Sequence, residues 1–112
     1  MAIYGYVCPD PPQIGANVYF IRNGRGDVKI GVAKDVARRR YELQLANPDK
    51  LEVFFSLHIN DESEAYKIEK ALHHKFSSVK KRGEWFHEEK VINWLRNGDT
   101  HIAGWTFENI DW

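Results

Sequence analysis

The sequence predicts a small α+β domain, and three observations carry that prediction. Residues 17–22 and 28–32 are β-rich and flank Asn23-Gly24-Arg25-Gly26, a strong hairpin signal. Residues 51–59 form a third β-rich run, with Val, Phe and Leu enough to lie against a core. Residues 62–76 then place Ala65, Ile68, Leu72 and Phe76 at helical spacing, so the period changes from two to 3.6 along the chain.

The elements follow in order. Residues 1–16, with Pro9, Pro11, Pro12 and Gly15, read as an irregular lead-in. After the hairpin, Asp35 can cap a helix over residues 36–45, which the Asn47-Pro48 dipeptide ends. Asn60 or Asp61 can cap the helix over 62–76. Lys80-Lys81-Arg82-Gly83 reads as a basic loop, and residues 84–86 as a short extended segment. A last helix spans 88–96 with Val91, Trp94 and Leu95 inward, and Asn97-Gly98 stops it. Residues 17–97 thus form one domain. Residues 98–112, with Trp105, Phe107 and Trp112, are too aromatic for a linker and are expected to pack back on the domain or on a partner, a second copy included.

Composition narrows the classes. At 112 residues and 43% apolar, the chain can bury one core. No apolar run is long enough to span a bilayer and no signal peptide is apparent, so no membrane partner is expected and the cytosol is the default compartment. Cys8 is the only cysteine, which excludes an internal disulfide and a Cys-based zinc site. Sixteen basic and sixteen acidic residues cancel, which argues against binding nucleic acid by bulk charge. Local positive character remains. Lys29, Lys34, Arg38, Arg39 and Arg40 form one basic group and Lys75, Lys80, Lys81 and Arg82 another; a phosphate-binding face exists if they converge.

Within this frame Glu69 stands out, because it falls four after Ala65 and three before Leu72, inside the apolar stripe. A carboxylate there is expensive unless it is paired or bound to a cation. Mg²⁺ or Mn²⁺ suits it, since hard cations take oxygen ligands and need only one or two carboxylates. Arg39 and Arg40 share the margin of their helix's apolar side, and periodicity does not choose between them. Either could bind a phosphate bidentately. Tyr19 and Lys29 lie on the two arms of the hairpin, where the amine could stabilise a phenolate or hold water or phosphate. Gly31 would let a backbone or phosphate approach closely.

The segments NVYFIR, VKIG, an arginine ten residues after the lysine, IEKALHHKF and RGEWF, in that order, resemble the GIY-YIG nuclease superfamily, in its viral and bacterial branch with a KIG second motif. The resemblance covers residues 17–87. It implies a central three-stranded antiparallel sheet flanked by helices, and DNA hydrolysis with one divalent metal. By position it makes Tyr19 the activator of water, Arg39 the phosphate-stabilising arginine and Glu69 the metal ligand. Lys29 stands where that family usually has tyrosine and Asn17 where it has glycine, so the general base is either Tyr19 or Lys29. His73, one turn beyond Glu69, is expected at the phosphate or leaving group, and Glu84 is the second choice as a metal ligand. The branch is common in phages and mobile elements.

The expected function is therefore a metal-dependent DNA endonuclease, with a non-catalytic nucleic-acid-binding or interaction module of the same fold as its rival. A hydrolase built only on His58, His73, His74, His87 or His101 is disfavoured, because their spacing matches no ligand motif.

Overall fold

The computed structural model describes residues 14–97, 101–102 and 105–106. The chain forms strand β1 (Ala16–Arg22), strand β2 (Asp27–Ala33), helix α1 (Val36–Leu45), strand β3 (Glu52–Ile59) and helix α2 (Glu62–Lys75). A single 3₁₀ turn (Ser77–Val79) leads to strands β4 (Lys80–Arg82) and β5 (Trp85–His87) and helix α3 (Glu88–Arg96). Strands β6 (His101–Ile102) and β7 (Trp105–Thr106) form a separate two-stranded pair.

The local signals are met where they were strongest. Asp35 caps α1, its side chain accepting from the Arg38 N–H, and Asp61 caps α2 by accepting from the Ser63 N–H. Hydrogen bonds from the Ser63 hydroxyl and backbone hold the Asp61 carboxyl below its usual value. Phe76 is the C-cap of α2 rather than its last helical residue, and Leu51 lies buried just before β3. The expected aromatic tail beyond Thr106, Cys8 and residues 1–13 lie outside the described residues. Within the tail, Ile102 packs against the main core.

The sheet has five strands in the order β3-β1-β2-β5-β4, all paired antiparallel, where three were expected. The difference is β4 and β5. Lys80-Lys81-Arg82 is an edge strand and not a loop, and its three charges hide any alternation while suiting an edge that must not pair further.

The two faces of the sheet differ. Val18, Phe20, Val28 and Ile30 pack with Phe86 against Ala65, Ile68 and Leu72 of α2 and Val91 and Leu95 of α3, forming the main core. The opposite face carries Tyr19, Ile21, Lys29 and Gly31, brought together by the register Tyr19↔Gly31 and Ile21↔Lys29. Here the buried cluster is only Tyr19, Ile21 and Leu51, with Val36 and Leu43 of α1 resting on it. No residue of α1 is fully buried.

Candidate functional site

The site forms where β2 loses its outer neighbour. Strand β5 pairs only with Asp27, Val28 and Lys29, so the edge of β2 beyond Lys29 is open and side chains from both faces can meet there. Two bonds finish that edge: the Ile30 N–H donates to the Glu84 carbonyl (3.2 Å), and His73 Nε2 lies 2.9 Å from the Ile30 carbonyl. A carbonyl only accepts, so this ring nitrogen carries the proton, and the lone pair of the neutral imidazole is on Nδ1. Phe86 meets the His73 ring edge-on at 4.9 Å and fixes its plane.

Glu69, His73 and Glu84 each offer one ligand atom, and these atoms lie within 4.8 Å of one another. Glu69 and His73 share a helix face because they are one turn apart, and Glu84 comes from the turn before β5. Two carboxylates and an imidazole form a donor set that fits a divalent cation. Glu69 is half-buried on the flank of the apolar stripe, and the core positions are Ala65, Ile68 and Leu72 on either side of it. Burial, then the neighbouring Glu84, pushes its carboxyl above the usual value, and a bound cation would relieve both effects.

On the other side of the edge, Lys29 is nearly enclosed and its Nζ lies 2.7 Å from Glu84 Oε1 and 5.9 Å from the Trp85 ring. The Arg39 guanidinium lies beside the phenol of Tyr19, and this interaction makes it harder to deprotonate. Arg40 instead turns along α1 to Gln44, 3.5 Å away, so the geometry separates two arginines that periodicity could not. Burial pushes the Tyr19 phenol above its usual value in spite of the neighbouring Arg39. It is therefore a hydrogen-bond donor at neutral pH rather than a base.

Gly31 does something other than admit phosphate. A Cβ there would lie 2.6 Å from Tyr19 Cζ and overlap the phenol oxygen, so the missing side chain makes room for the tyrosine. Asn17 ties down the turn into α1: its Nδ2 donates to the carbonyls of Ala33 (3.2 Å) and Lys34 (3.1 Å).

The remaining basic residues are dispersed. Lys34 and Arg38 are exposed on the α1 side, and Arg38 and Arg39 both reach Glu42 at 3.5 Å. Lys80 and Arg82 are exposed on β4, while Lys81 is ion-paired with Asp27. Burial would push the Asp27 carboxyl up, yet the bonds from Lys81 and Asn23 hold it below its usual value. Among the described residues no helix is long and apolar enough to cross a membrane.

Comparison with known proteins corrects the resemblance drawn from the motifs. No curated protein and no solved structure matches the chain. The family model that matches is not that of the GIY-YIG nucleases but the T5orf172 domain, over residues 4–98. Motifs of four to nine residues in a plausible order were too short to fix a family, and the roles they lent to Tyr19, Lys29, Arg39 and Glu69 now rest on geometry alone. With most of its length matched, the chain belongs to the T5orf172 domain family.

Proposed function

We propose that the chain hydrolyses phosphodiester bonds in DNA with the help of a divalent metal. The observation that carries this reading is the convergence of Glu69, His73 and Glu84 beside the Arg39–Tyr19 pair. Tyr19 and Lys29 share one face of the hairpin and Lys29 is paired with Glu84, which links the two groups. Membership of a phage-related, nuclease-like domain family supports it.

Glu69, Glu84 and Nδ1 of His73 would hold Mg²⁺ or Mn²⁺, which when bound supplies Lewis acidity toward phosphate and water. Arg39 offers its guanidinium to a phosphate oxygen, stabilising charge that grows in the transition state. Tyr19, beside Arg39, has its O–H to donate and orients water or phosphate. The Tyr19 phenol keeps its proton and Lys29 is ion-paired with Glu84, so neither is the base in this reading. The base left in this reading is a carboxylate oxygen of Glu69 or Glu84 that does not hold the metal.

The test is a plasmid nicking and cleavage assay with and without Mg²⁺ or Mn²⁺. Cleavage that depends on the metal and is lost in both Glu69→Gln and Arg39→Ala is expected. Unchanged cleavage in both variants would sink the assignment, and salt-dependent DNA binding with no cleavage in any metal would replace it with a binding module.

A further inference from the structure

Glu84 belongs to two sets of contacts at once. Its Oε1 is 2.7 Å from Lys29 Nζ, and one of its oxygens lies within 4.8 Å of the ligand atoms of Glu69 and His73. The Lys29 ammonium has little freedom to withdraw. Its side chain is 9% exposed, its strand position is fixed opposite Trp85, and its Nζ sits by the Trp85 ring.

We propose that Lys29 is an anchored counter-ion that neutralises Glu84 when no metal is present and opposes the metal once it arrives, so that it sets the affinity of the site. This rests on the metal reading given above. Two effects of Lys29 compete in sign. A hydrogen bond to a ligating carboxylate usually orients it and strengthens binding. A fixed positive charge beside the ligand oxygens weakens binding by direct repulsion of a dication. The Glu84 backbone is held by the Ile30 N–H, which leaves Lys29 only the carboxylate to orient, whereas its repulsion acts on the full charge of the dication. In this proposal repulsion is the larger of the two. The same charge remains beside the loaded site, where it favours the arrival of an anionic phosphate.

The experiment is a Mn²⁺ titration of the purified, metal-free protein by calorimetry and electron paramagnetic resonance, at constant ionic strength and without DNA. Wild type, K29M, K29Q, K29R and E69Q are compared, with circular dichroism as the check of folding. K29M and K29Q are expected to bind Mn²⁺ about tenfold more tightly than wild type, and K29R within about twofold of it. Wild-type binding that E69Q abolishes, but that K29M and K29Q leave unchanged or weaken, would overturn the role of Lys29 and leave the metal reading standing. Equal tightening in K29R would assign the effect to shape and overturn it as well. Absence of any binding sensitive to E69Q would overturn both readings.

Discussion

The two faces of one sheet have been given different tasks. Toward α2 and α3, the hairpin presents Val18, Phe20, Val28 and Ile30 to a continuous apolar core. Toward α1 it presents Tyr19, Lys29 and Gly31, with Ile21 and Leu51, among the described residues, as the apolar buried partners in that cluster. The first face supplies folding energy through apolar area removed from water. The second can keep an ammonium and a phenol in place only because the first has already fixed the strands. The site lies where the open edge of β2 lets Glu69 and His73 reach round from the core side.

Four outcomes would break or sharpen this division. The largest effect should follow Phe86→Ala, which empties the core between His73 and Phe76: a loss of about 3–5 kcal/mol in chemical denaturation. A much smaller loss would mean that this face is not what holds the fold. Next, Arg39→Ala should lower cleavage by about 10²- to 10³-fold, equivalent to about 2.7–4 kcal/mol of transition-state stabilisation, while thermal unfolding barely moves. A large drop in melting temperature would instead make Arg39 a structural prop for Tyr19.

Gly31→Ala should destabilise by about 1–3 kcal/mol, because its methyl group meets the Tyr19 ring and displaces the phenol. Pairing it with Tyr19→Ala should relieve most of that strain, and a double-mutant cycle measures the relief. The smallest effect concerns pH. The folded-state carboxyl of Glu69 is raised, so the metal-free protein binds that proton more tightly than the unfolded chain does. This contribution is fully present below the usual carboxylate value of 4.5 and is lost as pH rises through the folded-state value. Metal-free Glu69→Gln should accordingly melt a few degrees above wild type at neutral pH and lose that advantage at about pH 4. Equal melting temperatures at neutral pH would show that burial of the Glu69 carboxylate carries no strain.

Different kinds of residue explain how much could be read in advance. Asp35 and Asp61 act through hydrogen bonds two or three residues away, so helix starts were readable from the chain. The hairpin was readable for the same reason. Lys80-Lys81-Arg82 was misread because three charges carry no periodicity; its strand exists only by pairing with residues 85–86. His73 entered the candidate site only through the family resemblance, and its place beside two carboxylates depends on a carbonyl 43 residues distant in the chain. Gly31 was noted as room for something, and only the fold says that the occupant is Tyr19.

The sequence by itself determined the order of strand, strand, helix, strand and helix, because caps, turns and periodicity are written in neighbouring residues. It also marked Glu69, Lys29 and Tyr19 as polar groups on elements that must pack. Tertiary structure alone decided that β5 stops at Lys29, that Arg39 rather than Arg40 meets Tyr19, and that Lys29 is bound to Glu84. Each of those depends on sheet order and helix placement, contacts across tens of residues that are set by how the core packs and not by any local preference.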